Sequence, residues 1–326
     1  MTTQIQPSLV MRGFWWRLGS LFSGGLVLVL VFGLVLWFAG RSATSNLVKQ
    51  YPAPGQLTDV GGYKLYLSCA GQGTPTVVME AGINDFSLFW ARVQPEVARF
   101  ARVCTYDRAG FGWSEPGPNP RTSRLMVQEL HTLLVNATVE KPYILVGHSF
   151  GGALVRLFAH AYPDEVAGMV LVDAAHEELF RRIPAWSKAV EQGVRQFRAL
   201  APLQSLGLMA LWPTTIPNRG LPDSVLAHYR AIVATTGYFE TASAETESFE
   251  KNLAEIAAAH INSLGNLPLI VLSRGYWEPL PGLSEAENQR AWQEWQAMQS
   301  ELAALSANSD PAYGTGDSLW SGSAGG

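Results

Sequence analysis

The segment Pro142-Tyr143-Ile144-Leu145-Val146-Gly147-His148-Ser149-Phe150-Gly151-Gly152 is an apolar strand run that ends in G-x-S-x-G. It opens at once into an apolar-periodic helix through Ala153, Leu154, Leu157, Phe158 and Ala161. A chain that passes from strand to helix in one sharp turn brings two backbones into contact, and glycines flanking the turn permit that approach. Gly147 and Gly151 supply them, which leaves Ser149 in a strained conformation as a candidate nucleophile. The amide of Phe150 lies at the helix start, where unsatisfied N–H groups and the helix dipole favour a developing oxyanion. G-x-S-x-G alone also describes simple loops; here the strand before it and the helix after it select the catalytic elbow.

Around the elbow, residues 76–80, 103–106, 169–172 and 268–272 read as buried strands. A helix over 125–137 places Met126, Leu130, Leu133, Leu134 and Ala137 on one face. Buried strands alternating with amphipathic helices predict an α/β fold with a mostly parallel sheet and helices on both faces. Ahead of these, residues 56–60, a Gly61-Gly62 turn and an alternating run from Tyr63 to Leu67 read as a hairpin. Between 177 and 263 the pattern becomes helical, interrupted by Pro184, Pro202, Pro213, Pro217 and Pro222, which predicts a helical cap. Ser284 and Glu287 form a capping box before a last helix carrying Trp292, Trp295, Met298 and Leu302.

Only 15% of the 326 residues are charged, and the deficit is concentrated at the N-terminus. Residues 21–39 are apolar and uncharged, long enough as a helix to cross a bilayer core of roughly 30 Å. Arg12, Arg17 and Arg41 bracket them, with Trp15, Trp16 and Trp37 where interfacial aromatics belong. The run exceeds a usual signal-peptide core and no clean A-x-A site follows, so an uncleaved single span is expected. The positive charges on its two sides nearly balance; the reading adopted is N-terminus inside and enzyme domain outside. The resulting division is an N-terminal segment (1–20), the span (21–39), a polar linker (40–55), a globular domain (56–308, cap about 177–263) and a Gly/Ser-rich tail (309–326) expected to be disordered. A net charge of −4 provides no basic footprint for nucleic acid, and no Cys/His metal cluster occurs. The expected partners are therefore a small-molecule substrate and, through 21–39, a membrane, with no cofactor and no metal.

Three segments together give the chain a family likeness from about Gly62 to about Ala307. They are Glu80-Ala81-Gly82-Ile83-Asn84 with Trp90 beyond it, Tyr106-Asp107-Arg108-Ala109-Gly110-Phe111-Gly112-Trp113-Ser114, and the elbow itself. On these it resembles the α/β-hydrolase superfamily, in its serine-hydrolase, esterase-like branch. Aspartate-nucleophile relatives are disfavoured because position 149 is serine. The resemblance implies that Ile83 donates the second oxyanion amide beside Phe150, with Ala81 where a histidine is usual. The Asp107-Arg108 segment is read as a structural turn. The implied order of catalytic groups is serine, acid, histidine. Two acids fit: Asp173 after the strand that follows the elbow, ranked first, and Glu278 after the next strand. Relatives carry the histidine in a G-H motif beyond a last strand, and this sequence has no histidine after His260. His176, just past a strand end, is the candidate replacement base. The two readings that follow are a membrane-anchored hydrolase of ester-like substrates, and a truncated, inactive or purely ligand-binding protein of the same fold. Cys69 and Cys104 fall on strands that are neighbours in that fold, so a disulfide is expected if the domain faces an oxidising compartment.

Overall fold

Strands without a polar face must be covered on both sides, and the continuous apolar runs accordingly form the middle of one sheet. The computed structural model describes residues 9–280 and 282–313. Among the described residues eight strands make up the sheet: β1 (Gln56–Asp59), β2 (Lys64–Ala70), β3 (Thr76–Glu80), β4 (Val103–Tyr106), β5 (Tyr143–His148), β6 (Val166–Val172), β7 (Leu269–Ser273) and β8 (Ser309–Tyr313). Their spatial order is β1-β2-β4-β3-β5-β6-β7-β8. The pairs β1–β2 and β2–β4 are antiparallel and all others parallel.

The helices are α1 (Leu9–Gln50), α2 (Gln94–Val97), α3 (Ser123–Asn136), α4 (Phe150–Ala161), α5 (Leu179–Arg182), α6 (Ala185–Ser205), α7 (Leu208–Leu211), α8 (Asp223–Thr235), α9 (Tyr238–Ala257) and α10 (Glu285–Ala303). Alternate residues of the central strands feed two cores. Val78 and Leu145 join the cluster that includes Leu130 of α3, Phe158 of α4 and Trp295 of α10, while Val77, Met79 and Val146 meet Trp90 and Val97. Each fully buried Leu or Phe contributes about 1.5–3 kcal/mol. Both faces are thereby filled at β3 and β5. At β7 one face stays open, with Ile270 and Leu272 42% and 38% exposed.

Helices α5 to α9 lie between β6 and β7 in sequence and form the predicted cap. Their own apolar cluster gathers Ile232, Tyr238 and Phe239 around Phe86 and Phe111 from loops of the sheet. The capping box at Ser284 and Glu287 is present at the start of α10.

Two expected boundaries change. The polar linker drawn from residue 40 is helical as far as Gln50. No glycine or proline interrupts 41–50, and Ala43 and Leu47, one turn apart, pack on the cap cluster; Pro52 then lies just past the helix end. Within this helix Ser23–Gln50 is long and apolar enough to cross a membrane. Leu26 (61% exposed), Phe32 (64%), Val35 (58%) and Phe38 (61%) are among its exposed apolar side chains.

The tail drawn as disordered from residue 309 begins instead with β8, paired in parallel with β7 from Leu269↔Ser309 to Ser273↔Tyr313. Backbone groups make that pairing whatever the side chains, and an edge strand tolerates Pro311. The remainder of the expected tail, 314–326, lies outside the described residues, as do residues 1–8.

Cys69 and Cys104 are register partners across β2 and β4 and are joined by a disulfide. Replacing both by alanine should lower the unfolding free energy by about 2–4 kcal/mol, because the bridge closes a long loop. Urea midpoints of the variant and of wild type under oxidising conditions provide the measurement.

Candidate functional site

The elbow is built from close approaches that only glycine allows. A Cβ on Gly147 would lie 2.6 Å from the Gly151 carbonyl oxygen, and one on Gly151 would lie 2.5 Å from the carbonyl oxygens of Glu80 and Ala81. The ends of β5, α4 and β3 therefore converge on Ser149. Its backbone takes φ 50, ψ −119, a region that costs of order 1–3 kcal/mol for a residue with a side chain. Three hydrogen bonds hold it there. The Ser149 amide donates to Val172 O at 3.1 Å, and the Ser149 carbonyl accepts from the amides of Gly152 (3.0 Å) and Ala175 (2.8 Å). Phe150, buried, opens α4 directly behind the serine.

Facing the elbow is the loop that follows β3, fixed by a buried guanidinium. Arg108 donates from Nη1 to Ala81 O (2.8 Å) and Glu80 Oε1 (2.6 Å), from Nη2 to Gly82 O (2.7 Å) and Glu245 Oε2 (3.0 Å), and from Nε to Glu245 Oε1 (2.8 Å). Glu245, on α9 of the cap, also accepts the Asn84 amide at 2.6 Å. Since the Gly82–Ile83 peptide is trans, drawing the Gly82 carbonyl toward Arg108 turns the Ile83 N–H to the opposite side. Ile83, whose amide the resemblance assigned to the oxyanion, is thus part of this constrained loop. Neighbouring Asp107 has the structural role expected of it, accepting the amides of Ser87 (2.8 Å) and Trp113 (2.9 Å).

The acid and base candidates are engaged elsewhere. Asp173, at φ 47 after β6, accepts from Arg274 Nε at 2.6 Å, from the Arg274 amide at 3.3 Å and from Trp295 Nε1 at 2.9 Å. Glu278 is exposed in the loop after β7. His176 accepts the Glu178 amide on Nδ1 at 3.1 Å, and its Nε2 lies 3.5 Å from Glu301. Burial holds its pKa below the ordinary value, partly opposed by Glu177. The structure therefore brings Ser149, Phe150 and the Ile83 loop together, and gives Asp173 and His176 partners other than each other. His176, Glu178 and Glu301 each offer a ligand atom within 4.8 Å of the others, but Arg182 already bonds both oxygens of Glu301, at 2.7 and 2.8 Å.

His148, at the end of β5, lies beside Gly82 and in the field of Asp85 and Asp173. Burial lowers its pKa and the two carboxylates oppose that. Asp85 pairs with Arg219 at 3.0 Å, and Arg219 covers the Phe89 ring at 4.7 Å. Glu245, Arg219 and Arg274 were not singled out from the sequence. Arg274 lies two residues past a predicted strand, which is a readable signal; Glu245 is one acid among several on a helix, and its partner is named only by the fold.

A cavity of about 710 Å³ lies among the cap helices, walled by Phe197, Leu200, Met209, Val233 and Phe239 and reaching Asn84. Ser149 does not line it.

Residues 75–210 match the family of the alpha/beta hydrolase fold. YqjL of Bacillus subtilis is 30% identical over 73% of this chain and 74% of its own length. A protein of Hormonema carpetanum named as a transporter, efuK, is 35% identical over 39% of this chain, which spans only 20% of it. An α/β hydrolase of Nostoc superposes with a TM-score of 0.60 at 14% identity, over 79% of this chain and 89% of that one.

Arg108→Met should cost about 3–5 kcal/mol, because it strands two buried carboxylates; chemical denaturation measures it. Burial lifts Asp107 from 3.8 to about 6, against the hydrogen bonds from Ser87 and Trp113. Its folded-state value lies above the unfolded one, so its contribution is fully present below 3.8 and is lost as pH rises through about 6. Asp107→Asn should remove that fall, and unfolding midpoints taken across the same pH range will register it.

Proposed function

This chain belongs to the α/β-hydrolase superfamily, and on that premise we propose that it is a membrane-anchored serine hydrolase of ester-like substrates. The observation that carries the reading is Ser149 at φ 50, ψ −119, held by three backbone hydrogen bonds between β5 and α4. Such strain is retained where the surrounding structure over-determines it, and nucleophilic presentation is its use at this turn.

In the proposed reaction the Ser149 hydroxyl oxygen adds to the ester carbonyl carbon, and the carbonyl electron pair moves onto oxygen. The amides of Phe150 and Ile83 stabilise that charge. Collapse of the adduct expels the alcohol, which takes up the serine proton, and leaves an acyl-serine. Water adds to this ester in turn, releasing the carboxylic acid and restoring Ser149.

Membrane attachment is supported by the exposed apolar surface of α1, since a solvent-facing helix with no polar face is not stable in water. The Cys69–Cys104 bridge supports a domain facing an oxidising compartment.

A second reading, ligand binding without turnover, is favoured by one specific observation: Asp173 and His176 are occupied by Arg274, Trp295, Glu178 and Glu301. The two readings separate on Ser149→Ala. Wild type should react with a fluorophosphonate probe and hydrolyse a p-nitrophenyl ester, and the variant should lose both, turnover falling by at least about three orders of magnitude. Equal turnover in the two proteins would remove Ser149 as the nucleophile, and a wild type that neither labels nor turns over would assign the fold to binding alone.

A further inference from the structure

The apolar helix is joined to the cap rather than to the sheet. Gly40, the first residue beyond the apolar run, is buried against the turn before α7: a Cβ there would lie 2.7 Å from the Leu206 carbonyl oxygen and 2.9 Å from that of Gly207. Further along α1, Ala43 and Leu47 belong to the cap's apolar cluster. The arrangement fixes where a bilayer surface would fall. Residues 21–39 measure about 28 Å at 1.5 Å per residue, close to the thickness of the hydrocarbon core. At the near end of that length Arg41 lies over the Trp37 ring at 5.4 Å, a pairing of cation and aromatic suited to the headgroup level.

Around the same junction the cap exposes large apolar side chains. Leu203 is 43% exposed, Leu206 45% and Trp212 59%. Leu203 and Trp212 also line the 710 Å³ cavity, whose deeper wall includes Val233 and Phe239 and which extends to Asn84. The volume falls within the roughly 300–1,000 Å³ of small-molecule sites. Asn84 directly follows Ile83, so the far end of the cavity adjoins the loop assigned to the oxyanion. A cavity with largely apolar walls, an apolar rim at the foot of an apolar helix, and polar groups at Asn84 and Arg219, the former next in sequence to Ile83, matches a molecule with a long hydrocarbon body and one carbonyl.

We propose that this cavity receives one acyl chain of a membrane lipid, which leaves the bilayer past Trp212 and Leu203 and lies with its carbonyl end toward Asn84. The inference rests on the hydrolase reading for the fate of the chain, and on the cavity and the Gly40–Gly207 junction for its entry.

The test uses the full chain in phosphatidylcholine nanodiscs that contain a phosphatidylcholine with a diazirine in one acyl chain, with cross-links mapped by mass spectrometry after illumination. Adducts are expected on Val233 and Phe239, in wild type and in Ser149→Ala alike. Trp212→Glu and Leu203→Glu alter exposed positions and should lower the yield of these adducts by about tenfold. Adducts confined to α1, or cavity adducts at equal yield in both rim variants, would overturn the proposal. Cavity adducts in a wild-type protein that hydrolyses no ester would support acyl entry while defeating the hydrolase reading. Ester turnover that depends on Ser149, with no adduct in the cavity, would do the reverse.

Discussion

Arg108 is the residue on which the site and its cover both depend. All five donors of a guanidinium can be used only where acceptors surround it in its own plane, and here they are two carboxylates and two backbone carbonyls, in a place 3% exposed. One acid, Glu80, ends β3; the other, Glu245, comes from α9. The sheet, the loop after β3 and the cap thus all meet at this one side chain. Burial pushes the Glu80 carboxyl up while Arg108 and the Tyr106 hydroxyl draw it down, so removing the cation would leave acids in a setting that disfavours their charge. Lysine, a point charge without the planar fork, could not reproduce the pattern.

The elbow was legible because its constraint is local: the same few residues that name the motif are those whose backbones touch. The central strands were legible for a related reason, since uninterrupted apolar runs such as 76–80 require cover on both faces. Where the meaning of a residue depends on a distant partner, the sequence is silent. Asp173 reads as a candidate acid at a strand end, yet its occupants are Arg274, one residue beyond β7, and Trp295 on α10. His176 likewise reads as a base near the elbow, and its neighbours Glu178 and Glu301 are named only by the fold.

The two displaced boundaries teach the same lesson in opposite directions. Residues 41–50 look like a linker by polarity, but Ala43 and Leu47 are enough to dock one helical face. Residues 309–313 look like a tail by composition, but an edge strand is specified by the unpaired backbone of its neighbour as much as by its own side chains. Conversely, 268–272 reads as a strand buried on both faces, and Ile270 and Leu272 are partly open. Composition reports what a segment could bury; the neighbours decide whether it does.

The contact between Gly40 and Gly207 is backbone against backbone, with no side chain to act as a cushion. A helix of fixed length tilts when the surrounding bilayer is thicker or thinner than its hydrophobic stretch. For a helix fastened to the cap in this way, such a tilt would act as a lever on α7 and α8, and the loops beside Ser149 meet the cap at Arg108, Asn84 and Asp85. Were α1 to span a bilayer as proposed, lipid thickness would be a mechanical input to the cover of the site, delivered as torque rather than as a bound ligand.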